Sequence, residues 1–405
     1  MNLKNIIDNK NKYAQYMVDE ITHICTKLPK RGPGSEGEKL SCEYIGEEMK
    51  KLGCDTVYVE GFKENPGSFF GWIYFTITCC FLALASYFFM PVLSIVFIAI
   101  GLALCVLQFG LYKKVVDKCF QEKTGHNVSG FKKPTGEVKR RIIFNGHPDG
   151  AWEWPFKYKF TYLGFDIHMM LCFAGAFYTL GIAIAKLAGA LSPELAKTLG
   201  LVGLVFTPFW FGLYFMWNRN KIVDGANDNL SGCYIGMAIL KALHDEGIEF
   251  ENTEIGVVCT GSEEAGLRGA KAWAAAHADE MKDVPTFVFS YDTIAQNEQL
   301  MVNYRDLNAT VKTDKEVGDL FFESCEELGI PCKKGVVPPL GGATDSAAFA
   351  QAGMRSTGIT ALNHALPDFY HTRLDTPEAL NPSCLADCFA ASVLALEKFD
   401  KGAKQ

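Results

Sequence analysis

The longest uncharged stretch of this sequence sets the first limit on its fold. No Asp, Glu, Lys or Arg occurs between Glu64 and Lys113. A helix that crosses a bilayer needs ~20 apolar residues, so residues 65–112 can supply two such helices, with a turn near Pro91. A helix on the surface of a soluble domain would instead carry a polar outer face. The stretch therefore predicts a transmembrane helical hairpin.

A second transmembrane hairpin is predicted over residues 161–217. Residues 169–185 and 198–217 contain no charged side chain, and the first of these is the weaker candidate because Asp166 and His168 come just before it. Hydrophobic residues make up 49% of the chain and charged residues 21%, a balance that fits a protein with a soluble part and a lipid-facing part. We therefore expect a multi-pass integral membrane protein in contact with the lipid bilayer.

The charges that flank the two hairpins indicate their orientation. Two hairpins leave all soluble segments on one side of the bilayer, and the flanks on that side carry Lys113, Lys114, Lys118, Lys157, Lys159, Arg219 and Lys221. The opposite side has only Lys186, Glu194 and Lys197. Because positive flanks mark the cytoplasmic side, the soluble domain is predicted to be cytoplasmic.

Cysteine usage and net charge agree with that placement. The 14 cysteines form no C-x-x-C pair, which favours free thiols in a reducing compartment over a disulfide framework. The polar N-terminus predicts that there is no cleavable signal peptide. A net charge of −7 gives no support for nucleic-acid binding, so we expect no nucleic-acid partner.

With the hairpins set aside, residues 1–64, 113–160 and 218–405 are predicted to form one domain. The capping box Ser35-x-x-Glu38 predicts a helix that ends near residue 51. Strands are predicted at 56–62, 141–145, 254–260 and 285–291, and further helices at 230–246 and 267–282. This alternation is typical of the α/β class, with a mixed, mostly parallel sheet and helices on both faces.

Ionisable side chains follow the predicted strands of this sheet. Residues 141–145 run into Gly-His147-Pro-Asp149, residues 254–260 run into Gly-Ser-Glu263-Glu264, and residues 285–291 run into Asp292. Two more acidic or histidine-bearing loops, around Asp228 and His371, precede predicted helices. Because open α/β sheets bind ligands at the carboxyl ends of their strands, these side chains are expected to share one site.

The side chains themselves predict metal chemistry. Imidazoles and carboxylates on separate loops make a mixed N/O ligand set that suits Zn²⁺ or a similar divalent ion. In His147-x-Asp149 the carboxylate can orient the imidazole. Of the adjacent Glu263 and Glu264, one can bind metal and the other can accept the proton of the attacking water.

Taken together and in order, these segments resemble the dizinc exopeptidases typified by bacterial leucyl aminopeptidase, aminopeptidase Y and glutamate carboxypeptidase. The motifs that carry the resemblance are Gly-Ala-Asn-Asp-Asn-Leu-Ser-Gly (225–232), Gly-Ser-Glu-Glu-Ala-Gly-Leu-Arg-Gly (261–269), Arg-Gly-Pro-Gly-Ser-Glu-Gly (31–37) and the final Tyr-His-Thr (370–372). The resemblance covers roughly residues 31–64, 127–152 and 224–398.

The resemblance implies a site for two divalent ions, expected to be zinc. It assigns one ion to His147, Asp228 and Asp292, and the other to Asp228, Glu264 and His371, with Asp228 bridging. It also assigns the catalytic roles, with Glu263 as general base and Asp149 as the support of His147. His364 is the rival of His371, but only His371 has the Tyr-His-Thr context.

The sequence departs from the family pattern in three places. Pro148 follows His147 where a tyrosine is common, and Tyr291 and Thr293 give Asp292 an atypical setting. In Gly-Gly-Ala-Thr-Asp345-Ser346 the family aspartate is followed by serine, where histidine is frequent. This last difference bears on substrate contacts more than on metal ligands.

The function that the resemblance implies is that of a membrane-embedded aminopeptidase with peptides as substrates. A carboxypeptidase or another amide hydrolase is the enzymatic alternative, because the same metal core serves both ends of a peptide. A glutaminyl-cyclase-like transferase fits less well because the full ligand set is present. An inactive receptor or scaffold would need no Glu263, and a transporter would need ionisable residues within the membrane segments.

Overall fold

The computed structural model describes residues 3–363 and 365–402, so the prediction about His364 lies outside the described residues. The chain divides into two compact units. The first, called the α/β unit, comprises Met1–Pro66, Glu122–Trp152 and Lys221–Gln405. The second, called the apolar unit, comprises Gly67–Gln121 and Glu153–Asn220. Residues 113–121, 153–160 and 218–220, assigned to the soluble domain from sequence, lie in the apolar unit, and residues 65–66, assigned to the first hairpin, lie in the α/β unit.

The described strands, numbered in chain order, are β1 Thr56–Glu64, β2 Lys123–Lys132, β3 Arg140–Gly146, β4 Trp152–Glu153, β5 Asn218–Ile222, β6 Thr253–Thr260, β7 Thr286–Ile294, β8 Leu300–Asn303, β9 Arg305–Asp306, β10 Val311–Lys312, β11 Lys333–Gly335 and β12 Arg355–Ala361. Eight of them form one sheet in the order β1-β2-β6-β3-β7-β12-β8-β11. The pairs β3–β6, β3–β7, β7–β12 and β8–β11 are parallel. The pairs β1–β2, β2–β6 and β8–β12 are antiparallel. The predicted mixed, mostly parallel sheet is confirmed.

The described helices are α1 Lys4–Asp8, α2 Lys10–Lys27, α3 Glu36–Lys51, α4 Ser68–Tyr87, α5 Pro91–Leu104, α6 Pro155–Leu187, α7 Pro193–Val202, α8 Thr207–Gly212, α9 Ser231–Asp245, α10 Arg268–His277, α11 Lys315–Glu327, α12 Asp345–Gln351 and α13 Pro382–Gly402. Helices α4 to α8 belong to the apolar unit and the others to the α/β unit.

The core of the α/β unit lies on both faces of the sheet. Ile142 and Phe144 of β3 are fully buried in a cluster with side chains of α2, α3, α9, α11 and α13. Ile143 points to the opposite face because side chains alternate along a strand. Helices α10 and α12 contact each other and the sheet, with Trp273 and Phe349 in edge contact. The central strands are thus covered on both sides, as a mostly parallel sheet requires.

The capping box predicted at the start of helix α3 is confirmed for Ser35 and wrong for Glu38. Ser35 accepts a hydrogen bond from the backbone nitrogen of Glu38 at 3.3 Å, so the helix begins as predicted. The Glu38 carboxylate does not bond the backbone nitrogen of Ser35, as a capping box requires; its Oε1 accepts from the backbone nitrogen of His126 at 2.7 Å and its Oε2 from that of Gly34 at 3.3 Å. The prediction failed for this side chain because a buried tertiary partner replaced the local one.

The apolar unit contains four helical segments that are long and apolar enough to cross a membrane, namely Ser68–Tyr87, Pro91–Gly110, Pro155–Leu187 and Pro193–Phe215. They overlap the uncharged stretches at 65–112, 169–185 and 198–217 that were singled out from the sequence. Large apolar side chains are exposed on this unit, with Phe89 at 88% and Met170 at 64%. Membrane insertion and the cytoplasmic orientation of the α/β unit stay predictions.

Candidate metal centre

His147 and Asp149 follow the carboxyl end of β3. Gly146 ends the strand where a Cβ atom would lie 2.4 Å from the backbone nitrogen of Cys233, so α9 can approach only a glycine here. The carboxylate of Asp149 is fully buried, and its Oδ1 lies 3.4 Å from Nδ1 of His147. This contact directs the other ring nitrogen of His147 toward Asp228 Oδ1, at 3.5 Å.

Asp149 also holds the loop that carries the paired glutamates. Its two carboxylate oxygens accept from the backbone nitrogens of Glu263 and Glu264, each at 3.1 Å. These two residues form a short turn after β6, between Ser262 and Gly266, both of which have a left-handed backbone. One buried carboxylate therefore fixes His147 and the glutamate pair relative to each other.

Asp228 lies in the loop before α9. The peptide bond between Asp228 and Asn229 is cis. Asp375 accepts from the backbone nitrogens of Asn227 at 2.8 Å and of Asp228 at 3.0 Å. The amide of Asn229 donates to the carbonyl oxygen of Tyr291 at 2.7 Å, which ties this loop to β7 just before Asp292.

Asp292 and His371 complete the set. Asp292 lies near the end of β7, and Thr293 Oγ1 donates to its Oδ1 at 2.9 Å. His371 lies in the loop that leads toward α13, with its ring stacked on Tyr370 at a centroid distance of 4.1 Å. Its Nε2 is 3.1 Å from Asp228 Oδ2 and 3.2 Å from Glu264 Oε2.

The five predicted ligands thus form two groups of three that share Asp228. One group is His147, Asp228 and Asp292, and the other is Asp228, Glu264 and His371; within each group the ligand atoms lie within 4.8 Å of one another. The two oxygens of Asp228 face different histidines, Oδ1 toward His147 and Oδ2 toward His371. This is the arrangement of a carboxylate that bridges two cations.

The electrostatics of the site fit divalent cations. Asp228 and Glu264 are 3% and 4% exposed, and Nε2 of His147 and Oε1 of Glu264 are buried without a hydrogen-bond partner. Burial, reinforced by neighbouring carboxylates, raises the pKa of Glu263 and of Asp292 well above the usual range. Buried carboxylates at this density are costly unless positive charge compensates them. The N/O donor set suits zinc.

Histidine protonation shows the same excess of negative charge. Burial opposes a charged His147, but the carboxylates of Glu263, Asp149 and Asp292 outweigh it and raise its pKa well above the usual value. For His371 the carboxylates of Glu264 and Asp228 likewise outweigh burial and raise the pKa to about 9. Protonated imidazoles therefore balance part of the negative charge of the carboxylates, a role that bound metal cations would take over.

Comparison with known proteins agrees with this geometry. Residues 214–395 match the family described as Peptidase family M28. The chain carries a peptidase family M28 domain. The matched part of the M28 domain contains Asp228, Glu263, Glu264, Asp292 and His371, whereas His147 lies before it and joins the site only through the fold. No relative was found among curated protein sequences.

Solved structures share the fold of the M28 domain at low sequence identity. BSAP, a zinc aminopeptidase from Bacillus subtilis, superposes with a TM-score of 0.58 at 14% identity, over 95% of this chain and 94% of that one. LapB from Legionella pneumophila gives 0.56 at 11% identity, over 100% and 76%. The glutaminyl cyclase of Porphyromonas gingivalis gives 0.55 at 10% identity, over 97% and 98%. These likenesses show that this chain has a zinc-exopeptidase-like fold.

Several residues of the M28 site were missed from sequence. Asp375 supports the Asp228 loop, and its only sequence signal is its place four residues after His371. Tyr370 was used as motif context, yet burial and the carboxylates of Asp228 and Glu264 raise the pKa of its phenol well above the usual value. Ser346, which stands where histidine is frequent in the resembled family, donates to the buried Asp306 at 2.6 Å.

Proposed function

We propose that this protein is a membrane-anchored two-zinc aminopeptidase that removes N-terminal residues from peptides on the cytoplasmic side. The observation that carries the proposal is Asp228, whose two carboxylate oxygens face two separate ligand groups next to Glu263. Membership of an M28 peptidase family supports a metallo-exopeptidase, and aminopeptidase specificity is the finer part of the proposal.

Glu263 is the proton-transfer group in this proposal. It is not a member of either ligand group, and its Oε2 lies 3.7 Å from Nε2 of His147, at the edge of the first group. Zinc ions bound in the two groups would supply Lewis acidity for the scissile carbonyl. Glu263 accepts the proton of the attacking water and returns it to the departing amine. Asp149 keeps both Glu263 and His147 in position.

Tyr370 is proposed as a hydrogen-bond donor to the transition state. Burial and the nearby carboxylates keep its phenol protonated at any physiological pH. Its ring is held parallel to His371, with an interplanar angle of 13°. A protonated phenol placed there can donate to the oxygen on which negative charge develops.

The metal centre itself offers a place for a substrate amine. Glu263, Glu264, Asp228 and Asp292 converge on it, and two zinc ions would offset their charge. A free N-terminal amine could then bind at one ion while the other polarises the scissile carbonyl. Arg373, a candidate partner for a C-terminal carboxylate, lies exposed two residues after His371, which supports an aminopeptidase over a carboxypeptidase.

The membrane part of the proposal is supported by the apolar unit. Four helical segments have the length and composition of membrane spans, and apolar side chains such as Phe177, 57% exposed, face outward from α6. Exposed apolar surface of this kind is unfavourable in water and is satisfied by lipid. The Lys and Arg residues around the two insertions support a cytoplasmic location of the α/β unit.

The test uses full-length protein in detergent and one peptide series with blocked ends. An aminopeptidase cleaves a C-amidated peptide and not its N-acetylated counterpart, and a carboxypeptidase shows the opposite preference. An N-terminal glutamine peptide that loses ammonia without cleavage would identify a cyclase. Activity should disappear with a zinc chelator and return with added zinc. Cleavage of N-acetylated peptides alone would overturn the aminopeptidase proposal.

A further inference from the structure

A serine hydroxyl lies between two buried glutamates beside the Glu263–Glu264 turn. Ser262 Oγ is 2.6 Å from Oε2 of Glu38 and 2.6 Å from Oε1 of Glu64. Ser262 and Glu38 are 0% exposed and Glu64 is 3% exposed. A hydroxyl has a single proton and can donate to only one acceptor. One of the two glutamates must therefore carry a proton of its own and donate it to Ser262.

The surrounding donors show which glutamate that is. Oε1 of Glu38 accepts from the backbone nitrogen of His126 at 2.7 Å, and the N–H of Gly34 is shared between Oε2 of Glu38 at 3.3 Å and Ser262 Oγ at 3.2 Å. Oε2 of Glu64 is buried without a hydrogen-bond partner. Backbone N–H donors stabilise an ionised carboxylate, and an unpartnered buried oxygen suits a neutral one. The proton therefore lies on Oε1 of Glu64.

We propose that Glu38, Ser262 and Glu64 form a proton-sharing group that positions the paired glutamates of the site. In it, neutral Glu64 donates to Ser262 Oγ, and Ser262 donates to ionised Glu38. Ser262 has φ 55° and ψ 36°, a left-handed conformation that is unfavourable for a residue with a side chain. The two glutamates hold that conformation, and with it the start of the Glu263–Glu264 turn.

The same group joins the turn to the point where the first insertion leaves the α/β unit. Glu64 is the last residue of β1, two residues before the α/β unit is interrupted at Pro66. In the β1–β2 register Glu64 pairs with Lys123, which comes just after the chain returns at Glu122. The exit of the insertion is thus bonded through Glu64 to the loop that carries the proposed base, and its return pairs with that exit in the β1–β2 register.

The proton of Glu64 is expected to leave near neutral pH. Burial raises the pKa of Glu64 to about 7, and the carboxylate of Asp149 raises it further, while Arg268 and Lys123 lower it. Burial, together with the carboxylates of Asp149 and Glu64, also raises the pKa of Glu38 well above its usual value, so the pair favours holding a proton. A pair without any proton would place two carboxylates on one hydroxyl, where they repel each other.

Two matched substitutions test the assignment. Glu64→Gln replaces a neutral acid by a neutral amide that still donates to Ser262 and does not titrate. Glu38→Gln places an amide where two backbone N–H groups need an anionic acceptor. The full chain is studied in detergent with zinc. In infrared spectra in D2O at pH 6, wild type minus Glu64→Gln should show the carbonyl stretch of a protonated carboxyl, and this band should fade as the pH rises past about 7.

The control is Glu60→Gln, which changes a glutamate of the same strand whose side chain is 38% exposed and paired with His277. Its difference spectrum should contain no protonated carboxyl. A wild-type band that persists in Glu64→Gln would overturn the assignment of the proton. This measurement needs no substrate and no knowledge of the reaction.

The catalytic consequence rests on the proposed function and uses the same variants. Glu64→Gln should keep peptidase activity within about threefold of wild type, because the amide still donates to Ser262. Glu38→Gln should lose about tenfold or more, because the hydroxyl and the backbone N–H groups lose their anionic acceptor. A Glu64→Gln loss as large as that of Glu38→Gln would contradict the positioning role. If no peptide is cleaved, the infrared result still decides the proton assignment and only the proposed function fails.

Discussion

The guanidinium of Arg31 donates from Nε to the carbonyl oxygen of Pro148 at 2.6 Å. Its Nη2 bonds the carbonyl oxygens of Asp224 and, at 3.2 Å, Gly225, and its own carbonyl accepts from Gly150 at 2.9 Å. Arg31 is 1% exposed. One buried side chain thus clamps the two loops that carry His147 and Asp228, although the second insertion separates them in the chain.

Arg31→Ala should therefore weaken zinc binding. Removing a buried charged donor from three carbonyl acceptors should cost roughly 1.5–3 kcal/mol or more, since each acceptor loses a charge-assisted bond. We expect zinc affinity, measured by competition with a fluorescent chelator, to fall about tenfold to a hundredfold. Lys30→Ala is the control, because Lys30 is half-exposed and pairs only with the Asp224 side chain. Equal losses in both variants would contradict the clamp.

Asp228→Ala should remove most of both metal ions. Asp228 is the one residue common to the two ligand groups, so its loss leaves two ligands on each side. Elemental analysis of wild type should give about two zinc ions per chain, since the structure has two groups. Near-full zinc content in Asp228→Ala would exclude a bridging role.

Glu263→Gln and Glu264→Gln should separate the two roles of the adjacent glutamates. Glu263→Gln should keep zinc and lose about 10²- to 10⁴-fold in kcat, because only the proton acceptor is removed. Glu264→Gln should lose zinc first, because Glu264 lies in the group with Asp228 and His371. Zinc content and kcat are measured on the same preparations. An exchange of the two phenotypes would reverse the assignment.

Asp375→Asn should destabilise the Asp228 loop without touching a metal ligand. The carboxylate accepts the backbone N–H groups of Asn227 and Asp228 on separate oxygens, and an amide group can replace only one of those acceptors. An unpaired buried donor costs roughly 1–3 kcal/mol. We expect a lower melting temperature and weaker zinc binding, with hydrogen exchange faster at residues 227 and 228. Unchanged exchange there would refute the support role.

His371→Ala should abolish peptidase activity, whereas His364→Ala should leave a sizeable fraction. Nε2 of His371 lies within 3.2 Å of both Asp228 and Glu264, so its loss removes a ligand from one group. Activity and zinc content are compared for the two variants. Equal losses would show that the choice between the two histidines was wrong.

The order of strands and helices around the site and the uncharged helical segments could be predicted from the amino-acid sequence, and the family resemblance pointed to the five candidate ligands that the structure brings together. These features are local. An apolar run, a loop that follows a strand and a pair such as Glu263-Glu264 each consist of neighbouring residues in the chain. The loops that carry His147-x-Asp149 and Glu263-Glu264 are then expected to meet, because parallel strands end at one edge of the sheet.

The tertiary structure decided which buried groups hold those ligands in place. The carboxylate of Glu38 was predicted to cap its own helix, but it accepts from Ser262, 224 positions away in the chain. Arg31 and Asp375 likewise act on loops more than a hundred residues distant. A local pattern can show that a side chain has hydrogen-bonding capacity, but the partner is set by packing. Once water is excluded, each buried charge must find a donor or acceptor in whichever segment the fold brings beside it.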